Sequence, residues 1–302
     1  MIQTSATENN LGWQSKLVLL VVLPFAGAHV LLECQWWLGE SRAVVIWTLG
    51  LSALLGLITY KLRAVTPGAA ATGAAITASL MLSTVGYPYE PWHTALTPTL
   101  AVSVLAFAAT RAGRRKKERL GTAEARRGRR SSQVAANLGL AALVLSGPAQ
   151  AWIVDWRWLP VSAHMHGALL ALGLAALAEA AADTVSSEIG QVLGQRPRMI
   201  TTLRTAEPGR DGAVSVAGTL AGVMAAGATA GVGTWALRGG WELFCVSCAA
   251  AVFGLFFDSL LGATFEEHGW LNNDAVNFLS TASAAAFALV LLAFFPHLGV
   301  GR

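Results

Sequence analysis

Charge is what this sequence has least of. Only 13% of its 302 residues are Asp, Glu, Lys or Arg, about half the roughly 25% of a soluble globular chain. With 54% hydrophobic residues and a mean hydropathy of +0.54, that scarcity excludes a soluble domain and describes an integral membrane protein. Cysteine is scarce too. Cys34, Cys245 and Cys248 make no disulfide framework. Cys245 and Cys248 lie inside an apolar run with no second pair, so they read as packing residues rather than half of a zinc or redox motif. No internal repeat is evident, and no glycine-rich loop is followed by the Gly-Lys-Ser/Thr of a Walker motif. The interleaved aromatics of a nucleic-acid surface are missing as well, so no nucleic-acid partner is expected despite a pI of 9.3. Small residues are lacking where a leader peptide would be cut. Glu33-Cys34-Gln35-Trp36-Trp37 follows the first apolar run instead, which therefore reads as a retained span.

What is there is apolar sequence in long runs. A bilayer core about 30 Å thick needs roughly 20 apolar residues in a helix. Nine stretches qualify: 16–34, 43–60, 68–87, 93–110, 132–154, 162–182, 212–236, 241–263 and 276–296. The third is rich in Ala, Gly and Thr and has the composition of a broken or re-entrant segment. The expected fold is all-α, a polytopic helical membrane protein with about nine transmembrane helices. Residues 1–15 are expected to be a disordered cytoplasmic N-terminus, 16–64 two helices, and 65–300 a core with a basic loop at 111–131. Alternating the spans from an inner N-terminus puts Lys16, Lys61, Arg63, the ten basic residues between Arg111 and Arg130, and Arg196, Arg198, Arg204 and Arg210 on one side. Only Arg42, Arg157, Arg238 and Arg302 fall on the other. Retention of Lys and Arg in the cytoplasm makes the crowded side cytoplasmic, in a multi-pass protein of the cell membrane. Trp36, Trp37, Trp92, Trp152, Trp156, Trp158, Trp235 and Trp241 would form an interfacial belt on the other.

Four polar segments land on the cytoplasmic side. Arg126-Arg127-Gly128-Arg129-Arg130 runs into Ser131, Gln133 and Asn137. Arg129, Gln133 and Asn137 are four apart and share a helical face. That face is either a phosphate clamp with amide donors below it or a topology anchor with a helix–helix hydrogen bond. In the second segment Glu179 and Asp183 share a face, continued by Ser186 or Ser187, with Glu188 after them. Acidic groups at membrane depth are functional candidates by default. Carboxylates beside hydroxyls suit Mg²⁺, which takes oxygen ligands; the alternative is an ion pair with the basic loop. The third, Arg196 to Gly212 with Ser215 and Gly218, has either the glycines and helix start of an anion site or an ordinary turn. The fourth holds Asp258, flanked on its face by Gly254 and Gly262, then Asn273, Asp274 and Asn277, where Asn273 or Asp274 reads as a helix cap. His29, His164 and His166 read as structural or interfacial, and His268 as a weak candidate.

These segments resemble a known family of integral membrane proteins, which includes transmembrane protein 19 of animals, bacterial and archaeal members, and the phytyl-phosphate kinase of plant vitamin E synthesis. The residues that carry the resemblance are Arg126-Arg127-Gly128-Arg129 with Gln133 and Ala136-Asn137; Ala182-Asp183-Thr184 with Ser187-Glu188-Ile189-Gly190; Asp211-Gly212 with Ser215 and Gly218-Thr219; Asp258 through Thr264; and Asn273 with Val276-Asn277. Where the family often has an aromatic after the Asp-Thr pair, this chain has Val185. The resemblance implies a lipid-phosphate kinase that adds a second phosphate to an isoprenyl monophosphate from a nucleoside triphosphate. In that reading Asp183, Glu188 and Asp258 hold Mg²⁺ and are catalytic. Arg126, Arg129 and Arg130 hold phosphates, and Gln133, Asn137, Ser187, Asn273 and Asn277 orient them. The partners are then a nucleotide and a membrane lipid or isoprenoid phosphate. A transporter or flippase of an anionic or lipid substrate, and a non-catalytic membrane protein, are the other classes. Transport would need polarity running through to the outer half, whereas the polar residues cluster on one side.

Overall fold

The computed structural model describes residues 12–123, 128–149 and 165–294. They form an all-α bundle of α1 (Trp13–Glu40), α2 (Arg42–Lys61), α3 (Pro67–Ser83), α4 (Leu96–Arg111), α5 (Arg114–Leu120), α6 (Ser131–Leu145), α7 (Met165–Leu193), α8 (Val216–Ala236), α9 (Trp241–Leu261) and α10 (Asn273–Phe294). A two-stranded hairpin, β1 (Arg198–Met199) against β2 (Ala213–Val214), lies between α7 and α8. Disorder is expected through residue 15, yet α1 is already helical at Trp13; residues 1–11 lie outside the described residues.

Six helices, among the described residues, are long and apolar enough to cross a membrane: α1, α2, α7, α8, α9 and α10. The multi-pass reading holds; with the bent helices α4 and α5 taken as one broken span the described residues give seven candidates, and the expected nine are not reached among them. α3 has 17 residues, α4 has 16 and the described α6 has 15. At 1.5 Å per residue each is under about 26 Å, short of the apolar core. Local chemistry ends them. Thr66 caps α3, accepting from the Ala69 N–H, and Pro67 sits at its first turn, where no N–H is needed. α4 meets α5 at a 64° bend, where Gly113 takes a left-handed φ of +60° and a side chain would strike Val192. An apolar run read from composition does not show where a helix stops inside it. The expected fifth span extends past the described residues, as do Trp152, Trp156, Trp158, His164 and the His166 side chain.

α7 is the hub. Its alanines from Ala171 to Ala182 are buried, and α4, α6, α8, α9 and α10 all pack on it. Small residues permit that crowding in a membrane. On α8, a methyl added at Gly218 or Gly222 would come within 3 Å of the α7 backbone.

Hydrogen bonds gather one end of the bundle. Gln14 Oε1 accepts from the Asn272 N–H (2.7 Å), and Ser15 Oγ donates to Asp274 Oδ2 (2.6 Å). The Arg129 backbone bonds to Ala64 and Thr66, and Lys116 Nζ donates to Val192 O (2.6 Å). The start of α1, the basic loop, the hairpin segment and residues 262–273 therefore share one end, as the polar segments require. At the far end Arg238 pairs with Glu90, and His93 meets Ala236 O.

Candidate active site

Residues Glu179, Asp183, Ser187 and Gln191 recur every four positions along α7, so they form one stripe. The stripe faces Asp258 of α9. Asp183 and Asp258 line one chamber and are close enough for each to act on the other's charge, and Ser187 Oγ donates to Asp183 Oδ1 (3.4 Å). Two carboxylates so close are stable together only with a proton or a cation between them. One turn deeper, Glu179 is 1% exposed. Among the described residues, Glu179 Oε1 and Asp258 Oδ2 are buried without a hydrogen-bond partner. Gly254 allows this approach: a methyl there would stand 2.6 Å from Glu179 Cγ.

The acidic pair opens into a polar chamber of about 200 Å³. Its roof is the segment between α7 and α8. Gly212, at φ +73°, brings the loop against α9, and a side chain there would meet the Ala263 backbone nitrogen at 2.4 Å. Met199, Ala206 and Ala263 form a small apolar contact beneath the hairpin. Past Leu261 the α9 helix widens into a π turn, Gly262–Glu266, a distortion frequent at functional sites. The turn places Glu266 on the chamber wall with Asp211 and Arg210, and Arg210 pairs with Glu267. Burial and then the Glu267 charge push the Asp211 carboxyl above its ordinary range.

A second chamber of about 190 Å³ adjoins the first, sharing Asp183, Ser187, Gln191 and Asn273 as walls. Its far wall is the α6 stripe of Arg129, Gln133 and Asn137, with Asn277 from α10. Gln133 Oε1 accepts from the Arg130 N–H (2.7 Å), closing the start of α6. Asn137 donates to Gln133 O (2.9 Å) and accepts from Asn277 Nδ2 (3.5 Å). Asn277 Oδ1 is buried without a partner among the described residues. The Arg129 guanidinium is close enough to attract Asp183.

Of the residues singled out in the sequence, Asp183, Asp258, Ser187, Asn273, Arg129, Gln133, Asn137 and Asn277 line these two chambers. Glu188 reaches the second chamber, but its oxygens are engaged. Lys117 Nζ donates to Oε2 (2.6 Å) and Thr110 Oγ1 to Oε1 (2.9 Å). This is the ion pair with the basic loop, and both Glu188 oxygens already have a partner. Arg130 is exposed and lines neither chamber; Arg126 lies outside the described residues. The cap of α10 is neither Asn273 nor Asp274 but Asn272, whose Oδ1 accepts from Ala275 N–H (3.0 Å). Asp274 is held by Ser15 instead. Asp211, noted in the sequence only as part of the third segment, also lines the site, and Gln191 and Glu266 are site residues that the sequence reading passed over. Gln191 had a signal, being four beyond Ser187 on the same face. Glu266 had none, since the π turn shifts its register.

Among the described residues, no three Asp, Glu, His or Cys side chains converge to hold a metal on their own. Mg²⁺ is usually held by one or two carboxylates, waters and substrate phosphates. Asp183 and Asp258, with an unpartnered buried oxygen and no sulfur or imidazole nearby, fit that partial donor set.

Comparison with known proteins places the chain. It is 41% identical over 108 residues to an uncharacterized membrane protein of Methanocaldococcus jannaschii, covering 36% of this chain and 45% of that one. It is 35% identical over 198 residues to an uncharacterized membrane protein of Synechocystis, covering 63% and 70%. It is 30% identical over 198 residues to the chloroplastic protein VTE6 of Arabidopsis thaliana, covering 64% and 57%. The chain thus spans less than two thirds of the archaeal and plant relatives' own lengths. No solved structure matches. The family described as integral membrane protein DUF92 matches residues 50–285, a stretch that contains both chambers, and the chain belongs to that family.

Proposed function

We propose that this protein transfers a phosphoryl group from a nucleoside triphosphate to an isoprenyl monophosphate at the cytoplasmic face of the membrane, with Mg²⁺. The observation that carries the reading is the shared wall. A carboxylate pair suited to a phosphate-bound cation and an arginine–amide pocket suited to a second phosphate meet at Asp183 and Ser187. The sidedness rests on the crowding of Lys and Arg at this end. The resemblance to the family of the phytyl-phosphate kinase supports the same chemistry.

In this reading an oxygen of the lipid monophosphate forms a bond to the γ-phosphorus. The bond from that phosphorus to the β-bridging oxygen breaks, and nucleoside diphosphate leaves. The acceptor oxygen is already anionic, so no general base is required. Phosphoryl transfer is mainly positioning and electrostatics. Asp183 and Asp258 hold the cation. Arg129 neutralises charge between the two phosphates, and Gln133, Asn137 and Asn277 orient the acceptor. Bound Mg²⁺ would supply neutralisation of the nucleotide's phosphate oxygens. Lys117 and Glu188 fix α5 against α7 and so set the position of the basic loop.

Transport is weaker on this geometry. The outer half does hold a buried pair, His29 Nδ1 with Ser79 Oγ (2.9 Å), with Glu33 nearby. Both chambers, however, lie at the other end. The test uses the full chain purified in detergent, with isoprenyl monophosphates of several lengths, each nucleoside triphosphate and Mg²⁺. Isoprenyl diphosphate should form, and chelation with EDTA should stop it. Folded protein that yields no diphosphate from any combination refutes the reading.

A further inference from the structure

We propose that a third cavity is a tail slot that holds the acceptor's single hydrocarbon chain, with Arg63 and Arg129 gripping its phosphate at the mouth. The proposal rests on the phosphoryl-transfer reading above and names where its lipid substrate lies. The slot, about 120 Å³, runs between α2, α3, α4, α6 and α7. It adjoins the amide chamber at Arg129, Asn137 and Thr184, which line both. A head group at its mouth would therefore face Asp183.

The depth follows from α4. Arg111 lies at the mouth and Thr99 at the bottom, three turns apart, or about 18 Å. The walls between are small or apolar, including Gly73, Val102 and Ala106. Three threonines along the shaft, Thr59, Thr77 and Thr99, add little polarity, because their hydroxyls are turned into their own helices, while Thr110 at the mouth end is spent on Glu188. Thr59 donates to Leu55 O and Gly56 O, Thr77 to Gly73 O (2.7 Å) and Thr99 to Ala95 O (2.7 Å). With those donors spent, the slot has little to offer water and much to offer a hydrocarbon chain.

The mouth has the opposite chemistry. Arg63, Arg111, Arg114 and Arg129 surround it. Arg111 is occupied by Leu62 O and lies over the Phe107 ring, and Arg114 pairs with Glu118. The side chains of Arg63 and Arg129 make no hydrogen bond or ion pair among the described residues. Both are set in place by backbone. Arg63 takes a left-handed φ of +55° that a side-chain-bearing residue rarely adopts, and Arg129 is tied to Ala64 and Thr66. Two guanidinium groups without a hydrogen-bond partner among the described residues, Arg129 being also near Asp183, stand over an apolar shaft and match an anion with a tail. Inorganic phosphate would leave the shaft empty, and an uncharged isoprenoid would leave the arginines unmet.

The test measures binding without nucleotide, on the full chain in nanodiscs carrying labelled geranylgeranyl monophosphate. Inorganic phosphate, geranylgeraniol and isopentenyl monophosphate serve as competitors. Geranylgeranyl monophosphate should bind at least about a hundredfold tighter than inorganic phosphate or the alcohol, given the apolar area a tail buries. Gly73→Leu should weaken geranylgeranyl monophosphate about tenfold, a change of roughly 1.4 kcal/mol, and leave isopentenyl monophosphate unchanged. Gly73→Ala, whose methyl would stand 3.7 Å from Val134, should weaken geranylgeranyl monophosphate far less than Gly73→Leu. Ala106→Phe on the opposite wall should repeat the Gly73→Leu result should that variant not fold. Arg63→Ala should weaken long and short monophosphates alike. Equal competition by inorganic phosphate, or long-chain binding untouched by either plugging variant, overturns the slot. Because no nucleotide is present, that failure leaves the transfer reading standing, and a chain that binds by tail length but makes no diphosphate refutes the transfer reading alone.

Discussion

The two ends of this bundle treat their polar groups differently. At the far end they pair: Glu90 with Arg238, His93 with Ala236 O, Thr48 with Tyr89. At the site end Glu179, Gln191, Asp258 and Asn277 each keep a buried side-chain oxygen with no partner among the described residues. The other unpartnered atoms among the described residues are threonine and serine hydroxyls and one histidine nitrogen, and no carboxylate or carboxamide oxygen is among them. A buried polar atom without a partner costs about 1–3 kcal/mol, more when charged. A membrane helix carries that cost where something else supplies the missing contact. The unpartnered carboxylate and carboxamide oxygens are thus confined to the site end, which is where the proposed phosphates and cation would supply contacts.

The largest effect should come from the acidic pair. Asp183→Asn or Asp258→Asn is expected to lower diphosphate formation by about 10²–10³-fold or more, the scale of losing a preorganised charge at a reacting phosphate. The folded state should survive, since each change removes like-charge repulsion. Gel filtration and thermal melting in detergent report the fold, and product formation reports the chemistry. The far-end counterpart, Glu90→Gln, should leave turnover unchanged and cost under about 1 kcal/mol, because its ion pair is exposed. Equal turnover in Asp258→Asn and the parent would erase the distinction between the ends.

Lys117 is a buried cation at the site end with its full complement of acceptors. It is 1% exposed and donates to Glu188, Ala109 O and Thr110 O, closing the end of α4. Lys117→Met strands the Glu188 charge and is expected to cost about 3–5 kcal/mol. Adding Glu188→Gln should recover most of that loss, as read by denaturant melts. Glu188→Gln alone should reduce turnover far less than Asp183→Asn. A matching collapse would return Glu188 to the cation.

Much of this was legible in the chain. A face carrying Arg129, Gln133 and Asn137, and another carrying Glu179, Asp183 and Ser187, follow from helical spacing alone. The small residues beside Asp258 marked a close approach, which turned out to be α7. The family resemblance tied these segments together before any packing was known. Other features had no local signature. Lys117 looks like any member of the basic block, and only the fold finds Glu188 for it, 71 residues away. The division of the arginines is equally hidden, with Arg129 turned inward, Arg130 outward and Arg111 spent on a carbonyl. The short helices escaped because hydropathy averages over a window and does not register a cap such as Thr66 or a bend such as Gly113.

The roof of the acidic chamber should respond on a smaller scale. Gly212→Ala forces a side chain into a left-handed conformation, which costs about 1–2 kcal/mol, and drives it toward Ala263. The hairpin segment should lift. Limited proteolysis between Gly194 and Gly212 should accelerate, and the KM for nucleotide should rise more than kcat falls. An unchanged cleavage rate would mean that the roof does not depend on this contact.

The smallest effect concerns pH. The Asp211 carboxyl is raised above the ordinary aspartate range, first by the protein around it and then by the charge of Glu267. A raised carboxyl means that the folded chain holds its proton more firmly than the unfolded chain. Its contribution to stability is therefore complete below the ordinary aspartate pKa and is lost as the pH climbs through the raised value. Asp211→Asn should flatten that slope and at neutral pH raise Tm slightly, by under about 2 °C for a chain of this size. Glu267→Gln should remove part of the same slope, because it supplies the second cause, while freeing Arg210 at an exposed site where the pair is worth little. If the Tm of Asp211→Asn instead follows the parent at every pH across the carboxylate range, the roof carboxylate is solvated like a far-end charge, and the contrast between the two ends stops at the Asp183–Asp258 pair.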